Sequence, residues 1–153
     1  YKRTIKGKKV MVNQADKLRQ QIRMHEGVEY KVYEDTEGIK TVGVGRNLED
    51  RGLSDDEIDY LLSNDIDICV KELEQTFDWY DDLDDIRKRV LIDMMFNLGM
   101  PRLKGFANML KAIEAGAWKN AAVEMLDSKW AEQVGNRASR LSEMMESGTD
   151  YIG

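Results

Sequence analysis

Apolar residues recur with helical spacing along most of the chain, but in one stretch near the N-terminus they alternate. Residues 13–25 show the first amphipathic pattern, with Gly27 as its stop signal, so we expect a helix that ends near Glu26. Its apolar face carries Ala15, Leu18, Ile22 and Met24. The next segment, VEYKVYEDTEGIKTVGVG, predicts two short strands joined by the turn DTEG, in which Gly38 supplies a positive φ.

A long helix and a helical C-terminal region are predicted after this hairpin. The capping box SDDE places a helix start at Ser54, and the apolar period continues to about Phe77. The segment FDWYDDLDD breaks the pattern, and from Leu83 the sequence IRKRVLIDMMFNLG predicts a helix that is apolar on most of its circumference and central to the core. Three more short helices are predicted in FANMLKAIEAG, AWKNAAVEMLD and KWAEQVGNRASRLSEMMES. The pattern therefore predicts an α+β fold with the sheet segregated near the N-terminus.

Size and composition indicate one domain. With 153 residues, of which 42% are hydrophobic, the chain can bury one sizeable core, and we expect a single domain over residues 13–153. No run of about 18 apolar residues predicts a membrane span, and the N-terminus lacks the apolar core of a secretory signal. The single cysteine, Cys69, excludes an intrachain disulfide and is expected to be buried and inert. The methionine stripes are interpreted as core packing rather than as a metal or cofactor site.

Charge is distributed unevenly along the chain, whose net charge is −6. Residues 1–10 carry five Lys or Arg and no acid, whereas residues 54–85 carry 13 acids against Lys71. The acidic stretch is interpreted as a solvated helix face and argues against nucleic acid as a partner, because phosphate binding relies on clustered Lys and Arg. The basic leader, residues 1–12, is interpreted as a disordered tail or linker, with contact to an anionic surface as the alternative.

Two acids and a hydroxyl stand out around the predicted hairpin. Glu26 lies at a helix C-terminus, where the helix dipole is negative, so its charged form should be disfavoured. Asp35 closes the first strand and Thr41 lies early in the second. Glycoside hydrolysis needs two carboxyl groups facing one cleft, one protonated and one ionised. From spacing alone, both a catalytic pair and a pair of surface acids stay open, with the surface acids favoured.

Other chemistries fit the chain less well. His25 is the only histidine, so neither a His-rich zinc site nor a Ser-His-Asp triad can be assembled. The segment GVGRN follows a strand but lacks both G-x-G-x-x-G and a GK[ST] ending, which a phosphate-binding loop requires. We interpret it as the end of the second strand.

These residues lie in blocks that resemble the phage-type lysozymes, those of T-even phages in particular. HEG, YEDTEG and TVGVG reproduce the spacing Glu-x8-Asp-x5-Thr of the family's catalytic signature. The likeness continues through DDLDDIRKRVLIDMMFNLG, KGFANML and AWKNAAVEMLDSKWAEQVGNRASR, over roughly residues 15–145. The resemblance implies a lysozyme-like fold with a small lobe at about 26–53, a connecting helix at about 54–77 and a helical lobe at about 82–146, with peptidoglycan bound between the lobes.

The resemblance also implies a reaction, which is hydrolysis of the β-1,4 bond between N-acetylmuramic acid and N-acetylglucosamine. In this role Glu26 is the general acid, and Asp35 and Thr41 orient and activate the attacking water, with inversion at the anomeric carbon. Inverting enzymes hold their two carboxyl groups roughly 6.5–9.5 Å apart to admit that water. Neither a metal nor another cofactor is required by this chemistry.

Further positions match the family pattern or depart from it. Arg137 matches the arginine that pairs with the catalytic glutamate. Phe96 and Asn97 match substrate-binding positions at the cleft wall, with helix-face packing as an equal alternative. Arg46 stands in place of a family histidine that forms a stabilising ion pair, so that ion pair is not assumed. Two more departures fall where the family has smaller polar cleft residues: Met109 and Glu124.

Several biological roles are compatible with the resemblance. The expected substrate is bacterial peptidoglycan, and we expect a monomer that waits in the host cytoplasm and acts in the periplasm. The enzyme would lyse the host at the end of infection or pierce the wall at its start as a tail-borne domain. The start at Tyr1 rather than Met is compatible with a segment of a longer polypeptide. The alternatives are a wall-binding module that has lost turnover and a hydrolase of a related polymer such as chitin.

Overall fold

A computed structural model gives the structure of the chain and describes residues 13–151. The predicted basic leader, residues 1–12, lies outside the described residues. The described residues form two compact units, with the boundary between Ile58 and Asp59. Assignment of residues 13–153 to one lysozyme domain stays a prediction.

The first unit consists of one helix and a small antiparallel sheet. Helix α1 spans Gln14–Glu26, and its N-terminus is capped by the side chain of Asn13, which accepts a hydrogen bond from the Asp16 N–H at 2.9 Å. The strands are β1 (Glu29–Glu34), β2 (Lys40–Gly43) and β3 (Arg46–Asn47), in the order β1-β2-β3. The third strand was not predicted, because GVGRN was interpreted as the end of the second strand. It forms because Gly43 and Gly45, both at positive φ, turn the chain back on itself.

The predicted apolar face of α1 is largely exposed. Leu18, Ile22 and Met24 are 52%, 42% and 74% exposed. The ends of the helix are nevertheless well defined, since Asn13 caps the N-terminus and the Gly27 N–H donates to the Arg23 carbonyl at 2.9 Å. The capping interactions at Asn13 and Gly27 therefore explain where α1 begins and ends, and burial of its apolar face does not.

Helix α2 spans Asp55–Thr76, close to the predicted 54–77, and begins at the capping box. The Ser54 N–H donates to Glu57 Oε1 at 2.8 Å, and the Glu57 N–H donates to Ser54 Oγ at 3.3 Å. A short 3-10 helix at Tyr80–Asp82 occupies the predicted break. The remaining helices are α3 (Asp85–Leu98), α4 (Met100–Lys104), α5 (Ala107–Glu114), α6 (Trp118–Leu126), α7 (Lys129–Val134) and α8 (Asn136–Ser147). The α+β prediction is confirmed.

Two details of the helical unit differ from prediction. Helix α4 was not predicted, and it holds Pro101 in its first turn, where a missing N–H costs no helical hydrogen bond. The last predicted helix is divided into α7 and α8 at Gly135, whose φ of 57° and ψ of −118° are outside the helical region. Five short helices thus stand where three were predicted.

The core of the second unit is built around α3, as predicted. The buried side chains of this helix are Val90, Leu91, Met94, Met95 and Leu98. The methionine stripes prove to be core, since Met109, Met125, Met144 and Met145 are also buried. Cys69 is buried as well, and burial raises the pKa of its thiol. Within residues 13–151, no helix is both long and apolar enough to span a bilayer.

Candidate active site

Glu26 is the last residue of α1, as the pattern predicted. Gly27 ends the helix directly after it, with φ 76° and its N–H bonded to the Arg23 carbonyl. The Glu26 side chain is exposed and therefore accessible to a ligand. Because Gly27 ends the helix directly after Glu26, the Glu26 carboxyl group lies near the negative end of the helix dipole.

Asp35 organises the turn that follows β1. Its Oδ1 accepts hydrogen bonds from the Glu37 N–H at 2.8 Å and the Ile39 N–H at 2.9 Å. The Gly38 N–H donates to the Asp35 carbonyl at 3.0 Å, and Gly38 has the predicted positive φ of 78°. These bonds occupy Oδ1 and leave Oδ2 as the oxygen directed to other partners. Asp35 therefore stabilises the turn, in addition to its candidate role in catalysis.

Thr41 lies in the central strand of the sheet, where it pairs with Tyr33 on β1 and with Asn47 on β3. It is only 3% exposed, and its hydroxyl donates to the Ile39 carbonyl at 2.8 Å. Because the hydroxyl proton is used in this bond, Oγ1 can act toward a water molecule only as an acceptor. The same residue, Ile39, is bonded through its N–H to Asp35 and through its carbonyl to Thr41.

The end of α1 meets the hairpin at the turn between β2 and β3. A Cβ atom placed on Gly45 would lie 3.1 Å from Glu26 Oε2, so the carboxyl group of Glu26 rests against this turn. The fold thereby brings Glu26 to the sheet that carries Thr41, within the first unit. The predicted separation of the Glu26 and Asp35 carboxyl groups stays a prediction.

An ion pair that the sequence left open joins β3 to the start of α2. Arg46 Nη2 lies 2.5 Å from Glu57 Oε2, and Arg46 Nη1 donates to Glu57 Oε1 at 2.7 Å and to the Gly52 carbonyl at 3.2 Å. The hydrogen bond from Arg46, aided by those from Ser54, lowers the pKa of Glu57 to about 2. Sequence analysis recognised Glu57 only as a capping residue, because nothing local indicates that Arg46 returns to it.

In the helical unit, Arg137 is bound to Asp93 of α3. Arg137 Nη2 lies 2.6 Å from Asp93 Oδ1, and its Nε donates to the same oxygen at 2.8 Å. Sequence analysis did not single out Asp93, although an acid within the apolar segment IDMM is a signal that could have marked it. The pairing of Arg137 with Glu26 stays a prediction.

Phe96 and Asn97 are both exposed on α3 but have different surroundings. Phe96 lines a cavity of about 510 Å³ in the helical unit, together with Asp93 and Arg137. The Asn97 side-chain oxygen accepts a hydrogen bond from the Trp130 indole N–H at 2.7 Å. That bond fixes the Asn97 amide, which simple helix-face packing would not do. Substrate binding by either residue stays a prediction.

The departures Met109 and Glu124 both line a second cavity of about 400 Å³ in the helical unit. Met109 is fully buried and forms part of the hydrophobic core. Glu124 is only partly buried. Of these two residues only Glu124 carries a charge, and it shares the lining of the cavity with Arg102, Asp127 and Lys129. Within residues 13–151, no group of three or more His, Cys, Asp or Glu side chains is arranged to hold a metal ion.

Comparison with known proteins decides the family. The model of the phage lysozyme family matches residues 23–144, which include Glu26, Asp35 and Thr41. The chain belongs to the phage lysozyme family. The resemblance inferred from sequence blocks is therefore confirmed. As a phage lysozyme, the chain is a glycoside hydrolase of the muramidase type, and peptidoglycan is the substrate that the family implies.

Curated relatives of this phage lysozyme come from two kinds of organism. The chain is 29% identical to "Probable T4-type lysozyme 1" of Dictyostelium discoideum, over 86% of the chain and 95% of the relative. A second Dictyostelium protein, "Probable T4-type lysozyme 2", is 26% identical over the same shares. The chain is also 29% identical to the "Pre-baseplate central spike protein Gp5" of Enterobacteria phage T4, over 86% of the chain and 28% of that protein.

Proposed function

We propose that the protein hydrolyses the β-1,4 bond between N-acetylmuramic acid and N-acetylglucosamine in bacterial peptidoglycan, with inversion at the anomeric carbon. The observation that supports this most directly is the bonding of Asp35 to the N–H and of Thr41 to the carbonyl of one residue, Ile39. It leaves Asp35 Oδ2 and Thr41 Oγ1 as two acceptors. A water that donates one proton to each would direct a lone pair at the sugar.

The reaction follows from these assignments. Glu26, protonated, gives its proton to the glycosidic oxygen as the bond to the anomeric carbon breaks. The water held by Thr41 attacks that carbon from the opposite face and loses a proton to Asp35 Oδ2. Glu26 ends as a carboxylate and Asp35 as a carboxylic acid, and proton exchange with solvent restores both. Arg137, presently bound to Asp93, is assigned a supporting role toward the Glu26 carboxylate.

Glu26→Gln tests the central assignment, since the amide keeps the shape of the side chain but supplies no proton. We expect peptidoglycan turnover to fall by at least ~10²-fold. Thermal stability should stay equal or rise, because an exposed carboxylate at a helix C-terminus is unfavourable. Clearing of a purified peptidoglycan suspension measures the rate. The matched control is Glu34→Gln, an exposed acid at the end of β1, which should retain parental activity.

Separate outcomes decide between this function and its alternatives. A parent chain that binds peptidoglycan but does not clear it would be a wall-binding module. Mass spectrometry of the products distinguishes muropeptides from the oligosaccharides released from chitin, and NMR of the new reducing end reports inversion or retention. A Glu26→Gln variant that keeps more than about a tenth of parental activity contradicts the general-acid role.

The similarity to the T4 spike protein is consistent with a tail-borne setting as well as with a free enzyme. That relative is named as a pre-baseplate central spike protein, and the matched region is 28% of its length. We therefore keep two proposed settings, which are wall penetration by a tail-borne lysozyme and host lysis by a free lysozyme. In both, the enzyme would act in the periplasm. The reading frame on either side of the chain distinguishes them, because a tail component would continue into further protein.

A further inference from the structure

Gly45 lies directly against the carboxyl group of Glu26. A Cβ atom added to Gly45 would be 3.1 Å from Glu26 Oε2, 3.6 Å from Cδ and 3.9 Å from Cγ. The first of these distances is tighter than nine in ten real Cβ contacts, so the carboxyl group would have to move by a few tenths of an ångström. The Glu26 side chain therefore occupies space that every residue other than glycine would fill.

The orientation of the Glu26 carboxyl group depends on packing, whereas that of the Asp35 carboxyl group is fixed by hydrogen bonds. Two backbone N–H groups fix Asp35 Oδ1. By contrast, the hydrogen bonds and ion pairs that residues 13–58 form with one another include none to the Glu26 carboxyl group. Within the first unit, the orientation of this side chain therefore depends on its packing beside Gly45.

We infer that Gly45 is a positioning residue for Glu26. Because Gly45 has no side chain, it leaves the space in which the Glu26 carboxyl group lies. The inference rests on the proposed function, in which Glu26 is the general acid. A general acid must lie within hydrogen-bond reach of the leaving oxygen, and a small displacement lowers turnover more than substrate binding. Gly45 does not touch the substrate in this role and acts only through Glu26.

The same turn supplies a matched control at Gly43. Gly43 has φ +70° and Gly45 has φ +72°, so an alanine at either position carries a similar backbone strain. A Cβ atom on Gly43, however, would meet no heavy atom within 4 Å. Gly45→Ala and Gly43→Ala therefore differ mainly in the contact with Glu26.

The experiment compares steady-state rates of the two variants on a soluble peptidoglycan fragment, together with their thermal midpoints. We expect kcat of Gly45→Ala to lie at least ~10-fold below that of Gly43→Ala, with KM values equal within about 2-fold. The thermal midpoints should agree, since the strain is shared. In a Glu26→Gln background, the two alanine variants should show the same residual rate, because there is no longer an acid to misplace.

Equal kcat values for the two variants, or a loss confined to KM, would overturn the inference. Failure of the proposed function gives a different result, which is a parent chain without turnover or a Glu26→Gln variant that retains it. In that case, the ¹³C chemical shift of the Glu26 side-chain carboxyl carbon, measured at one pH in the parent and both variants, still tests the contact. This chemical shift should change in Gly45→Ala and not in Gly43→Ala, and an unchanged chemical shift in both variants counts against the contact.

Discussion

Arg46 and Glu57 form a two-point ion pair, with Nη1 and Nη2 of the guanidinium 2.7 Å and 2.5 Å from the two carboxylate oxygens. The pair connects the last strand of the sheet to the first turn of α2. Because Nη1 also donates to the Gly52 carbonyl, the segment between β3 and α2 is held at its middle. Arg46 thus forms the kind of bridge that its replacement of a family histidine had put in doubt.

Glu57→Gln should reduce stability in a pH-dependent way. The pKa of Glu57 is about 2, below its ordinary value of 4.5, so the folded state favours the charged form. The stabilisation is therefore complete above pH 4.5 and is lost as the pH falls toward 2. We expect the difference in thermal midpoint between parent and variant to be largest above about pH 5 and to shrink below pH 4.5. Glu72→Gln, an exposed acid on α2, should follow the parent at every pH. A parent-to-variant difference that stays constant down to pH 2 contradicts the assigned pKa.

Two substitutions of Asp35 separate its structural task from its proposed chemical one. Asp35→Asn keeps an oxygen that can accept hydrogen bonds from the Glu37 and Ile39 N–H groups. It replaces the second carboxylate oxygen with an amide NH₂ group, which cannot accept a proton from water. We expect turnover to fall by at least ~10²-fold with little change in stability. Asp35→Ala should lose the same activity and also destabilise the fold by about 1–3 kcal/mol, since two hydrogen bonds disappear. Thermal unfolding and clearing assays on both variants test this, and equal stability would show that the carboxylate does not hold the turn.

Thr41 can be tested with a pair of variants that keep or remove the hydroxyl. Thr41→Ser retains the donor to the Ile39 carbonyl and the acceptor for water, so we expect activity within about 10-fold of the parent. Thr41→Val keeps the side-chain shape but should lower kcat by at least ~10²-fold. It should also cost about 0.5–1.5 kcal/mol, because the Ile39 carbonyl loses one of its two hydrogen bonds and keeps the one from the Asp35 N–H. Similar rates for the serine and valine variants would exclude a role for the hydroxyl in holding water.

Local sequence signals predicted the parts of the structure whose causes are local. The stop at Gly27, the DTEG turn, the Ser54 capping box and the apolar circumference of α3 all depend on neighbouring residues. The third strand and the break at Gly135 were missed, because a glycine permits an unusual φ without requiring it.

The side-chain partners were predicted less well, because they depend on distant parts of the chain. Arg46 meets Glu57 only after the intervening segment has folded back, and Arg137 meets Asp93 across 44 positions of sequence. The candidate site itself was found from three residues at fixed spacing, and the family comparison covers all three. Their spacing could not show that the backbone of a single residue, Ile39, connects Asp35 with Thr41.

That connection through Ile39 has a mechanical consequence. The carboxylate and the hydroxyl are bonded to two neighbouring peptide planes that meet at the Ile39 Cα. Tilting of the hairpin as a whole therefore carries both groups together, whereas rotation about φ or ψ of Ile39 would change the width of the gap that would hold the water.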